Sequence, residues 1–206
     1  MWVDGLPVRN PDSWVDRRAS VRLLQAPQLR GQAKLQAALE EFAPAVAGRV
    51  ALDLGAAAGG FTRALLEAGA ARVYAVDAGH GQLLGSLRQD PRVVNLEATN
   101  LGQLDEALVP EPVGLVTADL SYLSLARALP QIERVAFTAD AELLALCKPM
   151  FELGLAAPPP EKGLPEALER AVAGVKAAGW SVLGTMRSRF PGARGAVEFF
   201  VHGRRG

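Results

Sequence analysis

The stretch from Val50 to Asp77, VALDLGAAAGGFTRALLEAGAARVYAVD, constrains this chain more than any other. Val50 to Leu54 is a short apolar run interrupted by Asp53, and a Gly/Ala loop follows from Gly55 to Gly60. Phe61 to Glu67 is apolar with helical period, Gly69 stops it, and a second apolar run from Arg72 to Val76 ends on Asp77. Strand, glycine-rich turn, helix, strand and terminal acid make the first βαβ unit of a nucleotide-binding α/β sheet. The spacing excludes some ligands. Gly55 and Gly60 stand as far apart as the glycines of a phosphate-binding P-loop, but Phe61 occupies the place of its lysine. In a dinucleotide fingerprint the second glycine would be Ala57, so a pyrophosphate would meet a methyl group at closest approach. A ligand with an adenosine ribose and no phosphate escapes both objections, and S-adenosylmethionine is the candidate. Gly55, Ala56, Ala57, Gly59, Gly60 and Phe61 would receive its methionine end. Asp77, with Ala78 beside it, would accept from the ribose hydroxyls, and Thr99 and Asn100 would edge the adenine. Asp53 either caps amides of the turn or touches the ligand.

The rest of the chain extends the same pattern. Arg92 to Leu96, Val113 to Ala118 and Ala141 to Cys147 read as further strands, and Trp180 to Ser188 and Ala196 to His202 as a closing pair around Pro191-Gly192. Helices are expected over 32–47, 78–91, 101–108, 123–135 and 164–178. Five strands alternating with helices, then a strand pair, predict a doubly wound, mostly parallel seven-stranded sheet with an antiparallel last strand. Chemistry in such sheets lies at the carboxyl ends of the strands. Gly55, Asp77, Thr99, Asp119 and Lys148 all fall there. Residues 1–24 read as strand, turn (Asn10, Pro11, Asp12) and strand, with Trp2 and Trp14 expected to pack. The expected division is a short N-terminal segment over 1–30 and a main domain over 31–206.

Composition narrows the class. At 206 residues, half of them hydrophobic, the chain builds a full core without staples. The single cysteine, Cys147, excludes a disulfide framework and a cysteine-rich zinc site, and no metal constellation is visible. No apolar run reaches membrane-spanning length, so a cytoplasmic protein is expected. Net charge is zero, against indiscriminate nucleic-acid binding, but it is unevenly distributed. Residues 1–34 carry six Lys/Arg against three Asp, and residues 187–206 carry five Arg against Glu198 alone. The ends therefore sum to +7 and the middle to −7; joined in the fold, they would offer a basic face to a phosphate backbone. Solvated tails would account for the same charges.

A group of motifs now points to a family. GAAAGGFT, AVDAGHGQL, DPRVVNLEATN, ADLSYLSL, CKPMFELG and GAVEFFVH occur in the order, and near the spacing, of the TlyA group of FtsJ-like RNA methyltransferases, often labelled haemolysins. The family pattern they resemble runs GASTGGFT, AVDVGYGQL, DPRVV-ERTN, DLSFISL, VKPQFE and N(V/I)EF. The resemblance implies a class I methyltransferase fold, S-adenosylmethionine as cofactor, and methylation of a ribose 2′-hydroxyl of RNA. The implied partner is ribosomal RNA (a cytidine of 16S or 23S) or a ribosomal subunit, with neither DNA nor membrane involved. It further implies a Lys-Asp-Lys-Glu catalytic set at Lys34 (in LRGQAKL), Asp119, Lys148 and Glu198. Lys148 would orient and deprotonate the hydroxyl, Asp119 would hold Lys148 and face the methyl group of the cofactor it also helps to bind, and Lys34 and Glu198 would complete the polar cluster and position the ribose. A lysine ammonium becomes a base only when burial or a neighbouring cation favours the amine, which a carboxylate opposes. The chain departs from the pattern at Ala58, His80 and Met150, and in the loop LAAPPPEKG. Residues 1–24 resemble only the closing strands of the family's S4-type RNA-binding domain. A non-catalytic S-adenosylmethionine- or RNA-binding protein is the alternative.

Overall fold

The computed structural model describes residues 2–8, 14–22 and 29–205. The main sheet is built from β4 (Val50–Leu54), β5 (Arg72–Val76), β6 (Val93–Leu96), β7 (Val113–Ala118), β8 (Phe137–Cys147), β9 (Trp180–Arg187) and β10 (Phe199–Arg205). Its order is β6-β5-β4-β7-β8-β10-β9. The first five strands are parallel, and β10 runs antiparallel to both β8 and β9. The doubly wound seven-stranded sheet read from the sequence is therefore present, with its reversed strand inserted between β8 and β9. The order changes direction at β4, where β5 and β7 leave on opposite sides and open a crevice at their carboxyl ends.

Both faces of the sheet are covered. On one face, α1 (Arg30–Phe42) packs on α2 (Gly60–Glu67), burying Leu35, Phe61, Leu65 and Phe200 among others. On the other, α4 (Leu125–Ala128) and α6 (Leu164–Ala177) bury Leu125, Ala171 and Val175 against Leu52, Val116 and Leu143. The central strands are buried throughout, as a parallel strand covered on both sides must be: every residue of β7 is buried. The N-terminal segment forms a separate three-stranded sheet, β1 (Trp2–Val3), β2 (Leu6–Pro7) and β3 (Val21–Arg22), in the order β2-β1-β3. Three strands replace the expected two, because Asp4 and Gly5, both at positive φ, already turn the chain after Val3. The turn expected at residues 10–12 lies outside the described residues. Trp14, expected to pack, is fully exposed.

Several helices are shorter than periodicity predicts, and in each case a local competitor is visible. The 78–91 segment is helical only over α3 (Gly85–Arg88), since the Glu97 carboxylate captures the Gln82 and Leu83 amides at 2.5 and 2.9 Å. The 101–108 segment is a 3₁₀ turn over Leu101–Gln103, and Asp105 accepts from the Ala107 amide at 3.0 Å. The 123–135 segment divides into α4 and a 3₁₀ turn at Leu129–Ile132, where Pro130 has no amide to continue the ladder. The 32–47 helix is α1, which ends at Ala43 in the left-handed region (φ 46). A four-residue helix absent from the sequence reading, α5 (Pro149–Glu152), begins immediately after Lys148, with Pro149 at its first position.

Candidate active site

The crevice holds two adjoining cavities. The first, about 190 Å³, lies over the β4–α2 turn and is lined by Gly55, Ala56, Ala57, Gly60, Phe61 and Asp119, together with Ala58 and residues 29–31. The turn has to be this bare. At Gly55 (φ +84) a Cβ would stand 2.5 Å from the Asp119 carbonyl oxygen, and at Gly60 it would stand 2.9 Å from the Gln32 amide. Strand β7 and helix α1 thus approach the turn so closely that no side chain fits between them. Ala57, at the position of the second fingerprint glycine, also has positive φ (45), held by its amide donating to Asp77 Oδ2 at 2.8 Å. Gly59 does not line this cavity. Its φ of +92 turns it toward α3, where a Cβ would overlap Leu87 at 2.2 Å.

Asp77 ends β5 with both oxygens engaged by backbone, Oδ2 by Ala57 and Oδ1 by the Gly79 amide at 2.7 Å. Each oxygen keeps a lone pair for a further donor. Asp77, Ala78, Thr99 and Asn100 stand outside the cavity's lining. The Thr99 amide donates to the Asp77 carbonyl at 3.0 Å, which places Thr99 beside the acid, while Asn100 caps the turn at Leu101–Gln103. The loop between them is anchored by Glu97. Its carboxyl is held down at about 2, first by the Leu83 amide and further by Asn95, Gln82 and Arg88. Asp53 is fully buried. It accepts from Thr62 Oγ1 at 2.7 Å and Thr117 Oγ1 at 3.0 Å, and so ties the start of α2 to β7 without facing the cavity. Burial pushes its carboxyl up to about 6 against those hydroxyls.

The second cavity, about 260 Å³, is lined by Lys34, Ser121, Lys148 and Glu198, by Arg30, and by an apolar wall including Met150, Phe151 and Pro158. All four residues of the expected catalytic set meet at these cavities, as two ion pairs. Lys34 Nζ is 2.5 Å from Glu198 Oε2, both side chains almost wholly buried. Lys148 Nζ is 2.6 Å from Asp119 Oδ1 and donates to Ser121 Oγ at 2.9 Å. Oδ1 of Asp119 has no aligned hydrogen-bond donor, so the Lys148 contact is an ion pair rather than a directed bond. Burial raises the Glu198 carboxyl, and the hydrogen bond from Lys34 opposes that. Because Asp119 lines the first cavity and Lys148 the second, their pair marks the boundary between the two.

Local structure explains the placement. Lys34 is on the second turn of α1, Asp119 ends β7, and Lys148 lies between β8 and α5. The last strand starts at Phe199 rather than Ala196, which leaves Glu198 in the preceding loop, free to turn toward Lys34. Gly192 makes room there, since a Cβ on it would stand 2.1 Å from Glu198 Oε1. Sequence reasoning missed Ser121, Arg30 and Gly192. Ser121 follows Asp119 by two residues in ADLSYLSL, and only the fold brings it to Lys148. Some of the cations expected to form a basic face at the joined chain ends are engaged by carboxylates or rings. Arg189 pairs with Glu40 and Glu41, Arg187 pairs with Glu161, and Arg205 lies over the Phe137 and Trp180 rings. Cys147 is buried and its thiol pushed up by burial, which suits a core residue. Among the described residues, no group of three or more His, Cys, Asp or Glu could hold a metal, and no helix is long and apolar enough to cross a membrane.

Comparison with known proteins gives a consistent picture. The profile of FtsJ-like methyltransferases matches residues 28–205. The 16S/23S rRNA (cytidine-2′-O)-methyltransferase TlyA of Mycobacterium tuberculosis is 43% identical over 209 residues, covering 97% of this chain and 78% of the relative. Among solved structures, a candidate hemolysin from Lactococcus lactis superposes with a TM-score of 0.81 at 34% identity, covering 86% of this chain and 88% of that one. An S-adenosylmethionine-dependent methyltransferase from Mesorhizobium loti has a TM-score of 0.60 at 17% identity, covering 82% of this chain and 96% of that one, and so shares the fold.

Proposed function

This chain belongs to the FtsJ-like methyltransferase family, and from that premise we propose that it methylates a ribose 2′-hydroxyl of RNA, with S-adenosylmethionine as donor and a cytidine of ribosomal RNA as acceptor. The observation that carries the reading is the pairing of Lys148 with Asp119 at the boundary of a glycine-lined cavity and a second, lysine-lined one. The first cavity suits the methionine end of the cofactor. Its floor is bare backbone that a single Cβ would obstruct, and Asp77 stands at the adjoining strand end with acceptor capacity left for ribose hydroxyls. S-adenosylmethionine, when bound, supplies an electrophilic methyl group.

The remaining work belongs to the chain. A ribose hydroxyl is a poor nucleophile, so it must be aligned and relieved of its proton, and alignment alone supplies on the order of 7–11 kcal/mol. Lys148, steadied by Asp119 and Ser121, holds and orients the hydroxyl, and accepts its proton once the ion-paired ammonium has released its own to solvent. Asp119 then stabilises the ammonium so formed. Lys34 and Glu198, closed on one another in the buried wall, shape the other side of the acceptor cavity and place the ribose. The apolar side (Met150, Phe151, Pro158) offers surface to an unstacked base. The three N-terminal strands stand where the closing strands of the family's S4-type RNA-binding domain would lie.

Methyl transfer from tritiated S-adenosylmethionine to ribosomal subunits, free ribosomal RNA and small molecules tests this reading. Incorporation into RNA as a 2′-O-methyl nucleotide is expected, with a loss of at least a hundredfold for Lys148→Ala. Undiminished transfer by that variant would overturn the role of Lys148. Tight cofactor binding without transfer to any acceptor would favour the non-catalytic alternative.

A further inference from the structure

Three cations line the two cavities, and two of them are already matched. Lys34 has Glu198 and Lys148 has Asp119. Arg30 lines both cavities, and among the described residues no carboxylate pairs with it. Among the described residues it is also the single cation lining the glycine-rich cavity. Its surroundings reinforce its charge. Arg30 opens α1, and α2 opens at Gly60 beside it, the two helix starts being so close that a Cβ on Gly60 would lie 3.0 Å from the Gly31 Cα. Neither helix has an acidic residue in its first turn, and neither receives a side-chain cap at its N-cap residue. Two partly positive helix starts and a guanidinium thus face one small cavity.

We infer that Arg30 binds the carboxylate at the amino-acid end of the cofactor, and that it distinguishes cofactors bearing that carboxylate from adenosine compounds lacking it. The inference rests on the methyltransferase reading above and adds a residue and a ligand group to it. A guanidinium suits this role because it presents paired donors to a planar carboxylate and stays charged throughout the working pH range. The acceptor cavity has less need of Arg30, since its lysines already carry their own counter-charges. A phosphate of the RNA backbone is nevertheless the competing occupant, because Arg30 borders that cavity too.

Calorimetric titration of the whole chain with two ligands separates these cases. S-adenosylhomocysteine carries the carboxylate, whereas 5′-methylthioadenosine retains the adenosine and sulfur without it. Arg30→Gln is expected to weaken S-adenosylhomocysteine about tenfold and leave methylthioadenosine unchanged, with Arg30→Lys in between. The unchanged methylthioadenosine affinity also shows that the variant is folded. Equal weakening of both ligands would overturn the inference, since the loss would then not be specific to the carboxylate. Unchanged S-adenosylhomocysteine binding with weakened RNA binding would also overturn it and assign Arg30 to the phosphate backbone. If the unaltered protein bound neither ligand, the methyltransferase reading itself would fail, which is a separate result.

Discussion

Glu152 offers a stringent test of how the site is supported, because it is a buried carboxyl with only half of its hydrogen bonding fulfilled. Its Oε1 accepts from the Leu125 amide at 3.0 Å, whereas the buried Oε2 has no partner among the described residues. It thereby ties α5, which follows Lys148, to α4, which follows the Asp119–Ser124 loop. Burial raises its carboxyl from 4.5 to about 7, with the Leu125 amide opposing. The folded protein therefore holds this proton more tightly than the unfolded chain does. The resulting stabilisation is complete below about pH 4.5 and is lost as pH rises through about 7. At 1.36 kcal/mol per pKa unit, the span from pH 5 to pH 8.5 is worth about 2–3 kcal/mol. Glu152→Gln keeps an oxygen for Leu125 and never ionises. Urea unfolding followed by circular dichroism, at half-unit steps of pH, measures the difference between variant and wild type. Asp53, raised to about 6, titrates in the same window but cancels in that difference. The variant should match the wild type more poorly at acid pH and gain on it by about 2–3 kcal/mol toward pH 8.5. A difference that stays flat with pH, or changes in the opposite sense, would refute the assignment of a protonated, desolvated carboxyl.

Other perturbations probe the remaining contacts. Lys34→Met strands the buried Glu198 carboxylate and should cost about 3–5 kcal/mol in urea unfolding at pH 8; adding Glu198→Gln should recover most of it. Gly55→Ala forces a side chain into positive φ and against the Asp119 carbonyl, 2.5 Å away. It should lower stability by about 1–3 kcal/mol and weaken S-adenosylhomocysteine binding by calorimetry. Asp77→Ala removes the acceptor of the Ala57 and Gly79 amides. It should weaken the same ligand at least tenfold, with methyl transfer recovering at raised cofactor concentration.

Much of this protein was legible from local pattern. Strands are read from apolar runs and glycine turns from composition, so β4, α2, β5 and β7 fall where periodicity puts them. Acids that end strands were legible too, because a parallel sheet sends all its carboxyl ends to one edge. The misread helices are those in which a proline or a carboxylate interrupts the backbone's hydrogen-bond ladder. Glu97 does so at Gln82 and Leu83, and shortens α3.

What the sequence determined by itself was the kind of sheet, the bare turn between Gly55 and Gly60, and the identity of four polar residues joined by resemblance alone. The tertiary structure decided how those four are paired. Lys34 and Glu198 are 164 residues apart in the chain, and their contact depends on β10 being inserted beside β8 and on a loop that ends before Phe199. It also decided that, among the described residues, Arg30 has no carboxylate partner while Lys34 and Lys148 each have one. Such pairings follow from strand order and loop register, which no hydrophobic period encodes, because the period records only which face a residue shows and not what lies opposite it.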